Sequence, residues 1–229
     1  MTKIVTFLGN ATFLKEIIEK NRLTDIYIDK SYIYINLNVT NVYIDRLYVQ
    51  VFIKPTEIEL MYKDKVTYHF VDTGIKPNSK QDNLVYPSVE DQYIIEMINR
   101  RVRIAKMLRV ILEQTDDNIM FIDSDIVIDN IEDVIDKLKK TGKPTTICIP
   151  AVAEPYEVIV DYCYSTNFYL PITWKSKLQN ILETYIKDSL YISNPVDVFI
   201  HRLMSSEKMQ IEGVYHYIGS LNECKYIVT

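Results

Sequence analysis

The stretch Asn118-Ile119-Met120-Phe121-Ile122-Asp123-Ser124-Asp125-Ile126-Val127-Ile128 constrains the fold more than any other. Its apolar run is too short for a buried helix and stops abruptly at two carboxylates one residue apart. That pattern predicts a central strand, buried on both faces. In open α/β sheets, ligands bind just beyond the carboxyl ends of such strands. Two acids at that mouth repel each other unless something positive lies between them, and a divalent cation is the usual solution. Asp123 and Asp125 are therefore candidate holders of a metal that in turn holds a phosphate.

Composition narrows the classes. A chain of 229 residues suits one α/β domain, here taken as 1–229. With 48% hydrophobic and 25% charged residues, the balance is that of a globular protein. A net charge of −5 with scattered basic residues argues against bulk nucleic-acid binding. The cysteines Cys148, Cys163 and Cys224 are widely spaced and form no CxxC pair, so neither a zinc ribbon nor a disulfide framework is expected. The expected compartment is reducing and cytoplasmic. The opening Ile4-Val5-Thr6-Phe7-Leu8 is too short for a signal-peptide core. No apolar run approaches the roughly 20 residues of a transmembrane helix.

The rest of the chain supports a mixed sheet with flanking helices. Ile4 to Leu8 reads as a first strand, turned by Gly9-Asn10 into a short helix, Thr12 to Lys20. A β-rich region follows, with strands at 26–28, 32–37, 47–53, 57–61 and 66–71 and a hairpin turn at Lys63-Asp64. Residues 72–87 carry the loop chemistry of a lid or binding segment. Ser88 opens a long helix whose stripe is Ile94, Ile98, Val102, Ala105, Leu108 and Leu112. Beyond the acids, Asn130 is placed as N-cap of a helix ending at Gly142, before strands at 145–149 and 156–162. Trp174, Leu178, Ile181, Leu182 and Tyr185 mark another helix. Asn194 as N-cap and Pro195 as first helical residue open the last, and Val214 to Ile218 closes the fold.

Three readings apply to Asp123-Ser124-Asp125. The acids can simply begin a polar loop. They also match the hhhhDxDxxh pattern of haloacid-dehalogenase-type phosphatases, where the first Asp is the nucleophile. That family carries the pattern near the chain start and needs a closing acidic pair, for which this chain has no convincing counterpart. The third reading is the DxD motif of glycosyltransferases with the GT-A fold. Here the order of later segments agrees as well: Asn167-Phe168-Tyr169-Leu170 with Trp174, then Pro195-Val196-Asp197, then His216-Tyr217-Ile218-Gly219. In that order the C-terminal half resembles the family-8 group, which includes glycogenin and the lipopolysaccharide galactosyltransferases. The glycine of its Asn-x-Gly is replaced by Tyr169, the glutamine after its Asp by Val198, and the lysine of its HxxGxxK by Asn222.

The resemblance implies a GT-A fold: a Rossmann-like central mixed sheet flanked by helices, with extra β-hairpins in the N-terminal half. It implies a metal-dependent glycosyltransferase taking a sugar from a nucleotide donor, expected to be a UDP-sugar, to an unidentified acceptor. Mn²⁺ or Mg²⁺ would bind Asp125, Asp123 and His216, since carboxylate oxygens suit both ions and an imidazole shifts the balance towards Mn²⁺. Asp197 is the candidate base or sugar-contacting carboxylate, although an acid in a first helical turn also meets the helix dipole favourably. Asn167 is the candidate sugar-bonding amide. Phe7, Gly9 and Asn10 fall where such enzymes hold the nucleobase. Arg100 and Arg103 are placed to reach the diphosphate, with Ser124 beside it. Gly219 would let backbone approach phosphate, and Lys225 would substitute for the missing motif lysine. A related domain that has lost activity and only binds is the non-enzymatic alternative.

Overall fold

The computed structural model describes residues 1–8, 14–30, 33–38, 48–53, 62–75, 89–153, 158–163, 166–188, 194–218 and 225–228. The first strand, β1 (Thr2–Leu8), leads to helix α1 (Leu14–Asn21) and back to β2 (Asp25–Asp29), which pairs with β1 in parallel. The expected extra hairpin is present as β3 (Ile33–Asn38) and β4 (Tyr48–Ile53), an antiparallel pair forming its own two-stranded sheet. β5 (Thr67–Val71) returns to the main sheet, and the long helix α2 runs Val89–Glu113. The expected strand at 57–61 and the cap at Ser88 lie outside the described residues.

α2 delivers the chain into β6 (Asn118–Phe121), the central strand predicted from the apolar run. The chain then turns at the two acids and continues as β7 (Ile126–Ile128), α3 (Ile131–Thr141), β8 (Thr145–Ala153), β9 (Val158–Tyr162) and β10 (Phe168–Leu170). A single 3₁₀ turn at Ile172–Trp174 precedes α4 (Lys175–Lys187); α5 (Val196–Met204), β11 (Glu207–Gln210), β12 (Val214–Ile218) and β13 (Lys225–Val228) complete the described elements.

The main sheet has eight strands in the order β11-β8-β10-β6-β1-β2-β5, with β9 added to β8. Pairings from β6 through β1 and β2 to β5 are all parallel, whereas β10 is antiparallel to both of its neighbours. Successive residues of a strand face opposite sides, so β1 sends Ile4 and Leu8 into one hydrophobic layer and Val5 into the other. The first layer is roofed by Leu14, Ile17 and Ile18 of α1 and by Val134, Ile135 and Leu138 of α3. The second is roofed by α2, α4 and α5 through Leu108, Ile111, Leu182, Tyr185 and Ile200. Both faces of β6 are therefore covered, which is what its unbroken apolar run requires. The central mixed sheet flanked by helices agrees with the expected fold class.

Several local expectations need correction. β6 ends at the acids as expected, and the unassigned residues beyond them form β7, which pairs with β12 in the three-stranded sheet β13-β12-β7. Asn130 holds the N-cap position of α3 as expected, but with no side-chain cap hydrogen bond and at φ 52° in the left-handed region, and Gly142 ends α3 as expected. Pro195, not Asn194, is the N-cap of α5, which places Asp197 at the second helical position. Neither β11 nor β13 was anticipated. Gly213 at φ 75° answers a real constraint, since a Cβ there would meet the Asp129 Cβ at 3.0 Å.

The reduced-cysteine expectation is also overturned: Cys148 and Cys163 form a disulfide. Separation in sequence hid the pair, but the β8–β9 register (Ile149 opposite Tyr162) makes the two cysteines the next cross-strand neighbours, with Cα atoms 4.1 Å apart. Among the described residues, no helix is long and apolar enough to cross a membrane.

Candidate functional site

The site forms where β6 ends. The Ile122 N–H still bonds the Val5 carbonyl at 3.0 Å, continuing the parallel ladder for one residue. At Asp123 a side chain takes over. The Asp123 N–H donates to Asn167 Oδ1 at 2.8 Å, and Asn167 Nδ2 donates to Asp123 Oδ2 at 2.8 Å. The Thr166 hydroxyl donates to the other carboxylate oxygen, Oδ1. The Ile126 N–H then closes on the Asp123 carbonyl at 3.2 Å. Residues 123–126 thus form a β-turn with Ser124 and Asp125 at its corners, both partly buried.

Asn167 is fully buried, and its own carbonyl accepts from the Ile147 N–H at 2.9 Å. This alters its expected role. Its amide grips Asp123 by both atoms from inside the protein, so it orients a carboxylate and does not present itself to a sugar.

Electrostatics link a third acid to the turn. Burial pushes the Asp123 carboxyl up to about 6, the Asp125 charge adds to this, and Asp197 acts in the same direction. The Thr166 and Asn167 hydrogen bonds oppose the rise without cancelling it. Asp197, in the first turn of α5, is therefore brought to the Asp pair from 72 or more residues away in sequence. Burial lifts the Tyr185 phenol to about 12, with Arg101 acting to lower it and Asp197 to raise it. The Tyr185 hydroxyl donates to the Asn194 carbonyl.

The other predicted site residues fall into separate groups. His216 belongs to β12, and its register partner is Ile126, the residue directly after Asp125. Lys225 opens β13 opposite Ile218. The side chains of both, and that of Arg100 in α2, lie outside the described residues, as do Gly9, Asn10 and Gly219 entirely. Phe7 is partly buried with the Arg103 guanidinium 5.3 Å from its ring centre. Arg103 is buried, with Nε 3.7 Å from Asp29 Oδ2, and Thr73 Oγ1 donates to that same oxygen at 2.6 Å. Its charge is matched within the fold at the end of β2; the structure does not bring it to the Asp turn. Trp174 is partly buried beside Lys177, whose Nζ is 5.0 Å from the ring centre.

Three contributors had no sequence signal of their own. Thr166 was overlooked beside Asn167. Arg101 was passed over for its neighbours. Asn21, the last residue of α1, donates to the Ile126 carbonyl at 2.7 Å and accepts from the Ile128 N–H at 2.9 Å. Periodicity registers it only as a helix end.

A helix-flanked, largely parallel sheet with a carboxylate turn at the carboxyl end of a central strand defines a Rossmann-like α/β protein. No protein-family profile matches the chain. It is 41% identical over 230 residues to the uncharacterized protein ORF238 of Acidianus filamentous virus 2 (isolate Italy/Pozzuoli), covering 95% of this chain and 97% of that one. The chain belongs to the family of that viral protein. Among solved structures it is similar to a provisionally named glucose-1-phosphate thymidylyltransferase from Bacillus anthracis, crystallised with sucrose. That match has 10% identity and a TM-score of 0.46, covering 94% of this chain and 89% of the other. It is also similar to the glycosyltransferase GlyE of Streptococcus pneumoniae TIGR4, at 11% identity and a TM-score of 0.38, covering 91% and 45%.

Proposed function

We propose that the chain is a glycosyltransferase of the GT-A type, moving a sugar from a nucleotide-diphosphate donor, a UDP-sugar, to an acceptor. The observation that carries this reading is the Asp123-Ser124-Asp125 turn, held by a buried asparagine at the mouth of the central strand and joined there by Asp197.

The donor chemistry of the turn fits a hard divalent cation. Carboxylate oxygens from Asp123 and Asp125 suit Mg²⁺ or Mn²⁺. The raised Asp123 carboxyl reflects burial and like-charge crowding that a cation relieves. Among the described residues no group of three His, Cys, Asp or Glu side chains is arranged to hold a metal. A Mg²⁺-type site needs only one or two protein carboxylates, with water and substrate phosphates completing the shell. His216, placed by its strand opposite Ile126, is the proposed third ligand.

Each residue then has a task. Asp123 and Asp125 would hold the ion, which when bound supplies charge stabilisation to a departing nucleoside diphosphate. Asn167 and Thr166 fix the Asp123 carboxylate so that little reorganisation is needed on binding. Asp197 is the carboxylate positioned to contact the sugar or accept a proton. Arg101 acts on Tyr185 together with Asp197, while the Arg103 guanidinium lies against Asp29 and Phe7. An Asp123 already bonded through both oxygens suits a ligand-holding role better than that of an attacking nucleophile, which places the phosphatase reading second.

The test is a thermal shift with UDP, with and without Mn²⁺, followed by hydrolysis of a UDP-sugar to UDP. Metal-dependent stabilisation and slow hydrolysis are expected, both lost in Asp125→Ala. Indifference to every nucleoside diphosphate, or release of phosphate from a simple phosphomonoester, would overturn the reading.

A further inference from the structure

We infer that Asn21 is a positioning residue for the Asp turn, holding β7 in place so that Asp125 and the strand carrying His216 keep their relation. The inference rests on the metal-binding reading above and extends it to a residue at the end of α1.

Among the described residues β7 is an edge strand: β12 pairs with one side of it, and no strand pairs with the other. An open edge leaves backbone groups facing away from the sheet, and Ile126, Val127 and Ile128 are all fully buried. Their N–H and C=O groups need partners there. Asn21 supplies them. Its carboxamide stands in for a missing strand, donating to the Ile126 carbonyl at 2.7 Å and accepting from the Ile128 N–H at 2.9 Å. The side chain is fully buried at the end of α1, so the helix acts as a rigid bracket.

This pairing has a geometric consequence. Backbone groups of alternate residues in a strand point the same way, so Ile126 and Ile128 face α1 and Val127 faces β12. Ile126 and His216 are then the narrow, non-hydrogen-bonded cross-strand pair, with Cα atoms about 4.5 Å apart. The residue next to Asp125 is thereby held close to the His216 backbone.

Asn167 does the same on the other side of the turn, bonding Asp123 through its backbone N–H and its carboxylate. The turn is strung between two buried asparagines. One is anchored in the main sheet and one in α1. Loss of the α1 bracket should leave the acids present but loosely related, a fault that outer contacts of metal sites commonly cause.

The experiment compares Mn²⁺ binding, read by electron paramagnetic resonance of free Mn²⁺, in the wild type, Asn21→Ala, Asn21→Asp, Ile17→Ala and Asp125→Ala, each confirmed folded by circular dichroism. Ile17 is buried one turn earlier on α1, and its truncation weakens helix docking while sparing the amide. Asn21→Ala is expected to raise the Kd about tenfold or more, and Ile17→Ala less than about twofold. Asn21→Asp keeps the side-chain size and one of the two bonds, and serves if the alanine variant does not fold; a rise of several-fold is expected. Equal Kd values for the Asn21 variants and Ile17→Ala overturn this inference while leaving the metal reading intact. Absence of Mn²⁺ binding in the wild type, with Asp125→Ala unchanged, overturns both. Coupling is reciprocal, so Mg²⁺ should slow hydrogen exchange at the Ile128 amide of the wild type. An unaltered exchange rate on Mg²⁺ binding also overturns the inference.

Discussion

The two ends of the main sheet treat their carboxylates in opposite ways. At the amino end of β2, Asp25 is buried but bonded by Lys3 Nζ at 2.9 Å and by His69 Nε2 at 2.7 Å. Burial pushes its carboxyl up, yet bonds from His69, Lys3 and Thr24 outweigh this and hold it below its ordinary value. At the carboxyl end of β6, Asp123 is bonded by the neutral Thr166 and Asn167 side chains, and the charges of Asp125 and Asp197 act on it. Its carboxyl rises to about 6. One carboxyl is lowered by the cations bonded to it, and the other is raised by burial and by the acids beside it. Strongly shifted carboxyls in a crevice cluster at functional sites, which makes the acidic end the candidate site.

The sharpest way to break this contrast is Asp125→Ala. It should abolish the Mn²⁺-dependent thermal shift with UDP and reduce UDP-sugar hydrolysis about 100-fold or more. Retained binding would remove the acidic end's functional meaning. Next in size is the tether beside that end, since Cys163 lies three residues before Thr166. Reduction of the Cys148–Cys163 disulfide, which closes a separation of 15 residues, should lower stability by about 3 kcal/mol in urea unfolding.

Asp123→Asn tests the strain directly. The folded carboxyl titrates at about 6 against an ordinary 3.8, so between these values the native state holds more protons than the unfolded chain. Stability from this group therefore falls as pH rises through that window. The asparagine variant should be more stable than wild type above pH 6, by on the order of 2 kcal/mol, with the gain vanishing towards pH 4. Urea midpoints across that range check it; a destabilised variant at pH 7 would contradict the crowding argument. Asp25→Asn should show the opposite sign and a smaller size. A depressed carboxyl contributes stability above its unfolded value and loses it as pH falls through the folded one. The variant should lose about 1–2 kcal/mol at pH 7 and little in acid, by the same measurement.

Much of the fold was legible because local pattern and tertiary need coincide. The apolar run before Asp123 predicted β6 since only a strand covered on both faces can bury it. The helical stripes of α2 and α4 were read for the same reason. The run after Asp125 has no assignment from sequence because nothing in Ile126-Val127-Ile128 says which sheet it joins. The cysteines were misread because spacing along the chain does not reveal a hairpin register. Arg103 looked like a free cation on a polar face, but Asp29 and Phe7 lie beneath it.

For the candidate site, the sequence alone determined the paired acids, their place at a strand end and the order of Asn167, Asp197 and His216. The acids and their strand end are properties of residue type and periodicity, which short windows carry; the order of the later residues came from the resemblance to a known family. Tertiary structure decided which groups hold the turn. Asn21 meets β7 across 105 and 107 residues, and Asn167 meets Asp123 across 44. An asparagine buried to satisfy another segment's backbone looks in sequence like any asparagine at a helix end or turn. Its purpose appears only when folding brings the unpaired edge to it, because the need it answers, a buried N–H and C=O without a strand beside them, exists only in the folded chain.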